Sequence, residues 1–581
     1  MATRTMAIAV LLITLGASAR AAEPVAGDPG KVKLVEAGRL VEARADWWGF
    51  DPKDSTTQLQ AAINSGVKKL VIPRMETPWI VNPLFLVSDQ EIVLEPGTVI
   101  EAIRGGFKGR TDHLLSARGK KHVAITGKDA VLRMHKKDYQ DANQYTRAEW
   151  RHTLAFYSCE NVRVEGLTLR SSGGDGIYIS SAGKPMDYCK DVIIKDCLLD
   201  DHHRQGISVI SVENLLVENC TLQNTSGSAP QAGMDFEPNT AGQRLVGVTL
   251  RNCTFKDNAT SGVIIHTYVR EDSIPISFKF ENCKAINDNF TASFGSGDAD
   301  GEPLFSKIDI TMTNCTETIG GKTRTLNDFW ADVMNVQVLT DAQKEILAKV
   351  KRVPLKETRL VPMPGVARRT VPAIPTLRGT SYCVAYARKG QTVFFSTGME
   401  RENAGMSVTV TAPSGREKTL AEKMPSGETR EMAFQAEESG VHIIKFDLRS
   451  GWFSTKVKPE SDAGLALAAL DRRIHVFANA GEFYFYVPSG VRHFYVRVAG
   501  EGGERVKASL FGPGGALVQT ADNISTPHKL IVTRDGEARG EVWKLKTERP
   551  SSGSMEDYYI DLIGVPPIFA TDKASLLAPV E

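Results

Sequence analysis

Short apolar runs recur through the middle of the chain, and each contains the same succession of residue types. They read VRVEGLTL, VIIKDCLL, LLVENCTL, VTLRNCTF, FKFENCKA and ITMTNCTE. Alternating apolar and polar side chains are typical of a β-strand with one buried face. One column of the alignment holds only residues that tolerate a left-handed backbone: Gly127, Gly166, Asp196, Asn219, Asn252, Asn282 and Asn314. This column predicts a sharp turn, and its spacings of 23 to 39 residues predict the coils of a solenoid.

A second repeat consists of a glycine followed by a short strand. The strands GIYIS, GISVI, GMDFE and GVIIH begin at Gly176, Gly206, Gly233 and Gly262. Alternation directs one set of side chains inward and the other outward. The inward set is Ile177, Ile179, Ile207, Val209, Met234, Phe236, Val263 and Ile265, and the outward columns are Tyr178, Ser208, Asp235, Ile264 and then Ser180, Ile210, Glu237, His266.

The third coil departs from the repeat. Cys197 to Gly206 spans nine residues, whereas Cys220 to Gly233 spans thirteen. Four extra residues therefore bulge out immediately before the two acids of this coil, Asp235 and Glu237.

Asp235 and Glu237 are the predicted catalytic pair. Side chains at positions i and i+2 of a strand lie roughly 6.6–6.8 Å apart. This separation suits an inverting glycoside hydrolase, whose two carboxyl groups are about 6.5–9.5 Å apart. The alternative is a pair of solvated acids on an exposed strand.

Polar residues of neighbouring coils supply further candidates. In the turn DDHHRQ, His203 and Arg204 are given catalytic roles, because Arg204 can reach Asp235 one coil on or hold a carboxylate of the substrate. Asp201 aligns with the turn residues Asn224, Asp257 and Asn287, so we expect it to be structural. The insertion MHKKDYQDANQYTRAEWRH, at 134–152, is predicted to wall a sugar cleft or to cover hydrophobic surface. The predicted substrate-binding residues are Asp175, Tyr178, Asp200, His202, His266, Trp150, Arg151 and His152.

The flanking segments define the domain limits. Residues 1–21 are predicted to be a signal peptide with cleavage after Ala21, and 31–325 to form the solenoid. Ser55 or Thr56 caps a helix that buries Leu59, Ala62 and Ile63, and a strand follows. Residues 326–376 are predicted to form a helix and a Pro-rich linker, and 377–460 and 461–581 two β-sandwiches.

The helix-then-strand opening and the coils resemble the pectin-lyase-like right-handed β-helix superfamily over roughly residues 40–325. Because that superfamily contains polysaccharide lyases, glycoside hydrolases, uronate epimerases and phage tailspikes, the resemblance implies a fold but not a reaction. The segment GGDGI is similar to the TDGI of polygalacturonase-type hydrolases. The next positions of that family's catalytic set are occupied here by Arg204-Gln205 and Gln231-Ala232, so the set does not carry over.

Composition narrows the function. With 70 basic and 69 acidic residues, the charge gives no electrostatic case for nucleic acid or an anionic membrane. Seven of the eight cysteines fall at repeat positions, which favours a buried ladder of thiols over a disulfide framework. The sequence contains no CxxC pair, so it gives no indication of a zinc site.

The sequence thus predicts an all-β protein: a right-handed parallel β-helix with an N-terminal cap helix and two C-terminal β-sandwich modules. We expect an exported (secreted or periplasmic) glycoside hydrolase acting on a polysaccharide or oligosaccharide. A polysaccharide lyase or uronate epimerase is the alternative, and a non-catalytic glycan-binding solenoid a further one. We expect no cofactor, with calcium left open, and no nucleic-acid or membrane partner.

Overall fold

The computed structural model describes residues 23–183, 186–269, 272–295, 305–334, 336–355, 358–363, 373–401, 405–449, 451–501, 504–535 and 539–580. The predicted signal peptide therefore lies outside the described residues, and its cleavage stays a prediction. The described residues fall into two compact units, one within 1–233 and 252–260 and the other within 234–251 and 261–581.

The first unit begins with the predicted cap. Helix Thr56–Asn64 follows Ser55 at its N-cap and buries Leu59, Ala62 and Ile63. Gly66 ends it with a φ of 65°, a left-handed conformation that glycine adopts without strain. An earlier helix, Pro29–Glu36, was not predicted, because it buries only Val35 and so shows no apolar periodicity. A 3-10 turn, Ala45–Trp48, lies between the two helices.

Parallel strands then build the coils of the first unit in three series. The first series is Glu42–Arg44, Lys69–Ile72, Gln90–Leu94, Lys121–Arg133, Glu160–Arg170, Cys189–Lys195 and Val212–Glu218. The second is Trp79–Val81, Val99–Ala102, the ends of Lys121–Arg133 and Glu160–Arg170, Leu198–Asp200, Thr221–Gln223 and Thr254–Lys256. The third is Leu84–Phe85, Leu115–Arg118, Leu154–Tyr157, Ile177–Ser180 and Ile207–Val209.

The predicted turn column is left-handed at all but one position. Gly166, Asp196, Asn219, Asn252, Asn282 and Asn314 have φ between 51° and 74°. Gly127 is the exception: its coil turns at Asp129, with φ 57°, and the strand Glu160–Arg170 bulges opposite, between Glu165 and Leu167. The alignment placed that bend two residues too early, because early coils are longer. The Asp201, Asn224, Asp257 and Asn287 column is also left-handed, which agrees with the structural interpretation of Asp201.

The cysteines are buried free thiols, as the ladder interpretation required. Cys159, Cys189, Cys197, Cys220, Cys253, Cys283 and Cys315 all lie in the coils, and Cys383 lies in the C-terminal region. Several of the thiols lie against carbonyl oxygens of the preceding coil, as Cys220 Sγ does at 3.7 Å from the Ile194 oxygen.

The second unit contains further coils of the same kind. Its parallel strands are Met234–Phe236, Val263–Tyr268 and Phe290–Gly295; Leu245–Arg251, Ile276–Glu281 and Ile308–Thr313; and Lys284–Ile286 with Cys315–Ile319. The antiparallel strand Lys322–Leu326 closes this series, and the π-helix Phe329–Val333 and helix Asp341–Lys349 follow. A 3-10 turn, Phe305–Lys307, precedes the strand Ile308–Thr313.

The C-terminal region consists of antiparallel sheets. One has the order Thr429–Gln435, Thr392–Arg401, Trp452–Val457, Ala373–Arg378, Ile474–Phe477, Asp557–Ile563, His493–Gly500 and His528–Thr533. A second has Glu417–Met424, Met406–Thr411, Gly440–Asp447, Ser381–Ala387, Ala466–Ala468 and Ile568–Phe569, and a third Gly481–Val487, Glu541–Glu548, Val506–Phe511 and Leu517–Ile524. Leu360–Pro362 pairs with Leu577–Pro579, and short 3-10 turns occupy Pro513–Gly515 and Lys573–Ser575.

Strands from the two predicted sandwich segments share two of these sheets. Their buried side chains also form one cluster, which includes Phe395, Phe446, Phe485 and Phe494. The fold is thus all-β, a right-handed parallel β-helix followed by antiparallel sandwich sheets, as predicted. The limit between the two modules stays a prediction. Across the described ranges, no helix is long and apolar enough to cross a membrane.

Candidate functional site

Adjacent coils of the first unit bring three polar side chains together where their short strands begin. Ile177 pairs with Leu154 on one side and with Ile207 on the other. This register places His152 beside Asp175, and Arg204, three residues before Ile207, reaches Asp175 with its guanidinium. We call Asp175, His152, Arg204 and Ser208 the Asp175 cluster.

Glycines on both sides of Asp175 allow this close approach. A Cβ atom on Gly174 would lie 2.9 Å from His152 Nδ1 and 2.7 Å from the Glu149 oxygen. One on Gly176 would lie 2.6 Å from His202 Nε2. The sequence SGGDG is thus explained by packing, since neither position has space for a side chain.

The Asp175 carboxyl group is buried and held largely by charge. Its side chain has no exposed surface, and its Oδ2 lies 3.3 Å from His152 Nδ1 and 3.6 Å from Arg204 Nη1. Burial raises the pKa of Asp175 from its ordinary value of 3.8 to about 7, although the Arg204 charge and the Ser208 hydroxyl act in the opposite direction. A carboxyl group with such a pKa can release or take up a proton at neutral pH.

Hydrogen bonds assign His152 as the neutral tautomer protonated at Nε2. The backbone N–H of Asp175 donates to His152 Nδ1 at 2.9 Å, so that nitrogen carries a lone pair. Burial lowers the pKa of His152 well below its ordinary value, and the charges of His113, Arg204 and His202 act in the same direction. The same nitrogen lies 3.3 Å from Asp175 Oδ2 and has no proton to donate to it.

His202 is the other histidine of the same edge, and it is also neutral. Ser172 Oγ donates to the Gly174 oxygen at 2.7 Å, so its contact with His202 Nδ1 at 2.8 Å requires that nitrogen to donate. The bare nitrogen is then Nε2, which has no hydrogen-bond partner within the described part of the chain. Burial lowers the pKa of His202 to about 3, and Lys136 contributes to the shift.

Aromatic rings continue from the cluster across the outer face of the third strand series. His113 stacks on His152 with ring centroids 5.0 Å apart, and His152 on Tyr178 at 4.5 Å. The Tyr157 ring lies 5.7 Å from that of Tyr178, and its hydroxyl oxygen is 3.0 Å from His113 Nε2. We call His113, His152, Tyr157 and Tyr178 the aromatic wall. Tyr157 and Tyr178 are half-buried, so the wall reaches the surface.

The insertion at 134–152 packs over the same edge of the first unit. Its helix Lys136–Tyr139 carries a buried ammonium group, whose Nζ lies 2.7 Å from Asp201 Oδ1 and 3.1 Å from Ser226 Oγ. Ser226 belongs to the bulge of four extra residues. The insertion and the bulge, which both depart from the repeat, therefore contact each other through Lys136 and Ser226.

His203 and Arg151 lie at this junction and not on an open face. Gln140 Nε2 lies 3.0 Å from His203 Nδ1, and burial lowers the pKa of His203. Arg151 has no exposed surface; it donates to the oxygens of Phe107 at 2.9 Å and Thr146 at 3.0 Å. Both side chains fix the insertion in place, whereas Trp150 is 36% exposed at its rim.

Asp200 lies in the second strand series, away from the Asp175 cluster. Its Oδ1 accepts hydrogen bonds from Asn224 Nδ2 at 2.8 Å and Gln223 Nε2 at 3.2 Å, and its Oδ2 lies 3.3 Å from Arg170 Nε. These contacts form a polar ladder between neighbouring coils. The sequence predicted that Asp200 points outward beside Gln223, and the two residues do pair, but its role in substrate binding stays a prediction.

Asp235, Glu237 and His266 belong to the second unit. Asp235 lies on strand Met234–Phe236 and is 1% exposed, although its position in the alternation faces outward. Glu237 follows the end of that strand and is half-buried, and His266 is half-buried on the strand Val263–Tyr268. Asp235 pairs with Ile264 and Phe236 with Ile265, so Glu237 and His266 occupy the next position, as predicted. The catalytic roles of the two acids stay predictions.

Four residues of the site were not predicted. His113 and Tyr157 lie at the ends of early coils, which are too irregular for the repeat alignment. Ser172 precedes the glycines, and Lys136 belongs to the insertion, where no repeat assigns a direction to a side chain. Ser208 was placed in the outward column but given no role. Among the residues that the structure describes, no group of three or more His, Cys, Asp or Glu side chains is arranged to hold a metal ion.

Comparison with known proteins agrees with this fold. Residues 143–316 match the family model of the right handed beta helix region. This match covers the central coils of the chain and agrees with the right-handed parallel β-helix that the sequence predicted.

Two curated relatives come from Bacillus subtilis (strain 168). The SPbeta prophage-derived uncharacterized protein YorA is 26% identical over 205 residues, which are 33% of this chain and 34% of that protein. The uncharacterized protein YclG is 22% identical over 243 residues, 36% of this chain and 41% of that protein. The chain thus spans about a third and two fifths of the lengths of these relatives.

Solved structures match this chain at low similarity. The family 28 exopolygalacturonase of Yersinia enterocolitica is 14% identical, with a TM-score of 0.34, over 49% of this chain and 67% of that one. The polygalacturonase of Erwinia carotovora ssp. carotovora is 13% identical, with a TM-score of 0.25, over 43% of this chain and 93% of that one. At these values the similarity carries no information about substrate or reaction.

Proposed function

We propose that this protein is an exported carbohydrate-active enzyme, and specifically a glycoside hydrolase in which Asp175 is the proton donor. The observation that carries the proposal is the buried Asp175 carboxyl group, whose pKa of about 7 keeps it half protonated at neutral pH. Glycosidic bonds require a proton on the leaving oxygen, and an acid with a raised pKa is the usual source.

The neighbours of Asp175 support this role. Burial raises the pKa of Asp175, His152 Nδ1 has no proton to donate to the carboxylate, and Arg204 limits how far the pKa rises. Arg204 is 12% exposed, so the Asp175 cluster reaches the surface at this guanidinium. The aromatic wall offers apolar ring surface to the faces of a pyranose.

The hydrolase also needs a carboxylate that activates water or attacks the sugar. The sequence predicts catalytic roles for Asp235 and Glu237, and each of these residues is tested on its own. A polysaccharide lyase or uronate epimerase is the second candidate function. It is favoured by His202, whose unprotonated Nε2 could accept a proton, and by Arg204, which could neutralise a uronate carboxylate.

Product analysis separates these reactions. The purified protein is incubated with a panel of neutral and anionic polysaccharides, and the products are followed by reducing-end release and ultraviolet absorbance. A hydrolase yields reducing ends alone, whereas a lyase also yields an unsaturated, absorbing product. Neither signal with any substrate would overturn the enzymatic proposal and favour a glycan-binding solenoid.

Substitutions test the assignment of the acid. Asp175→Asn is expected to lower kcat by roughly 10²–10⁴-fold, the usual contribution of general acid catalysis. Asp309→Asn, at an exposed position on strand Ile308–Thr313, is the matched control. Full activity of Asp175→Asn would refute the role of Asp175, and full activity of both Asp235→Asn and Glu237→Gln would exclude those two residues. N-terminal sequencing of the mature protein tests export and cleavage after Ala21.

A further inference from the structure

Two exposed arginines beside the aromatic wall have no acidic partner. The Arg118 guanidinium carbon lies 4.3 Å from the centre of the Tyr157 ring, and that of Arg110 lies 5.0 Å from the centre of the Trp150 ring. In the described part of the chain, no carboxylate forms an ion pair with either arginine. Arg104, in contrast, is paired with Asp138 in the same region.

The contact with an aromatic ring restricts the movement of each guanidinium. A guanidinium over an aromatic face keeps its charge and its donors, and the planar fork matches the two oxygens of a carboxylate or sulfate group. Such a group loses less side-chain entropy on binding an anion than a freely rotating lysine does. The arrangement therefore suits recognition of an anion better than simple solvation of the surface.

Arg118 also lies close to the Asp175 cluster. Its charge contributes, after burial, to the lowering of the pKa of His113 to about 4. His113 contacts the Tyr157 hydroxyl and stacks on His152, which contacts Asp175. A ligand held by Arg118 on the aromatic wall would thus be next to the proposed proton donor.

The acids of this region do not cancel the charge. Asp112 Oδ2 accepts the backbone N–H of Gly109 at 2.7 Å, and Glu149 Oε2 accepts the Ser228 hydroxyl at 2.5 Å. Both are thus engaged in holding loops. Asp175 is itself about half protonated near pH 7. Arg110, Arg118, Arg151 and Arg204 thus outnumber Asp112, Glu149 and the half-protonated Asp175, so these groups together carry a positive balance, although the whole chain has a net charge of only +1.

We propose that Arg118 and Arg110 form a subsite for an anionic substituent, a carboxylate or a sulfate, on a saccharide that lies on the aromatic wall. This inference rests on the proposed function for its saccharide, and it narrows the substrate class to anionic glycans. Carboxylate and sulfate share the chemistry that a guanidinium recognises, and the binding assay distinguishes them.

The test measures binding separately from turnover. Oligogalacturonate, sulfated galactan oligosaccharides and neutral galactan oligosaccharides of equal length are titrated into the Asp175→Asn protein by isothermal calorimetry. The same titrations are made with Arg118→Gln and Arg110→Gln added, each of which removes the charge but keeps a donor. Arg39→Gln, at an exposed position outside the site, is the matched control, and Arg118→Lys shows whether charge alone restores binding.

We expect at least one anionic probe to bind, and each Gln substitution to weaken it about tenfold or more, as loss of a charged hydrogen bond does. The neutral probe should bind more weakly from the start and change less than about twofold, and the salt dependence of the anionic probe should decrease. Equal losses for charged and neutral probes, or unchanged binding of the anionic ones, would overturn the subsite.

The two proposals fail in different ways. Arginine-dependent binding of an anionic glycan without turnover by the wild type would leave the subsite standing and overturn the enzyme. Turnover of a neutral glycan that is preferred over both anionic ones would overturn the subsite and leave Asp175 as the proton donor. Circular dichroism of each variant shows that it is folded before its affinity is interpreted.

Discussion

Replacing Asp175 with Asn should stabilise the protein at alkaline pH while removing its proposed proton donor. The folded protein holds the Asp175 proton up to about pH 7, whereas an ordinary aspartate releases it near pH 3.8. Between these values the folded state binds more protons than the unfolded chain, so stability falls as the pH rises through this window. The shift is about three pKa units, and each corresponds to about 1.4 kcal/mol, which gives about 4 kcal/mol in total.

The amide introduced by Asp175→Asn would have nearly the same shape as the carboxyl group but no charge to bury. At pH 4 the variant and the wild type should have the same free energy of unfolding to within about 1 kcal/mol. At pH 8 the variant should be more stable by up to about 4 kcal/mol, because it avoids the cost of burying an ionised carboxylate. Urea unfolding at pH 4, 5, 6, 7 and 8 measures both limits.

Infrared difference spectra provide the direct titration. The spectrum of the wild type minus that of Asp175→Asn should contain a protonated carboxyl band that disappears near pH 7. In Arg204→Gln the band should persist to higher pH, since a cation 3.6 Å from Oδ2 is removed; about 4 kcal/mol at an effective dielectric constant of 20 sets the upper limit of this effect. If the free energies of unfolding of the wild type and Asp175→Asn changed with pH in the same way, the raised pKa would not belong to Asp175. Asp309→Asn is the control.

Three further outcomes are expected. Asn219→Ala should lower the free energy of unfolding by about 1–2 kcal/mol, because alanine is strained at a φ of 54°. Asn219→Gly should lose only the side-chain hydrogen bonds of the ladder. Chemical denaturation compares the two variants, and equal losses of stability would contradict the role of the left-handed backbone. Lys136→Met should leave Asp201 without its cation and speed limited proteolysis within 134–152, while unchanged cleavage would show that other contacts hold the insertion. Gly206→Ala should lower the stability by about 1–3 kcal/mol or more, because the added Cβ would lie 2.4 Å from the Gly233 backbone oxygen. The measurement is the melting temperature, which should fall. An unchanged melting temperature would show that the strand can shift.

The β-helix could be predicted because each coil repeats the same local physics. Asp196, Asn219, Asn252, Asn282 and Asn314 are left-handed in the structure, and only residues without a strong penalty in that conformation recur there. The inward residues Ile177, Ile207, Met234 and Val263 are buried for the equally local reason that strands alternate. Gly127 was misplaced because its coil contains two more residues before the bend.

The site was harder to predict because it is made by departures from the repeat. Alternation indicates only which way a side chain points, and so Asp235 was expected on an exposed face, yet it is 1% exposed. Burial of Asp175 depends on His152 and Arg204, which approach it through two glycines. Asp175 was therefore given only a binding role, because sequence alone does not show that its carboxyl group is desolvated. His113 and Tyr157 lie in coils without a recognisable alignment.

The unequal coils have an evolutionary consequence. Asp196 and Asn219 are 23 residues apart, whereas Asn219 and Asn252 are 33 apart, yet Asn219 Nδ2 bonds Asp196 Oδ1 at 2.9 Å and Asn252 Nδ2 bonds Asn219 Oδ1 at 3.1 Å. The hydrogen bonds of the polar ladder thus form whether 23 or 33 residues separate its neighbouring members. Insertions and deletions can accumulate in the loops without disturbing the stacked core. A lineage of such proteins can therefore exchange loops, and with them substrates, while inheriting the same scaffold.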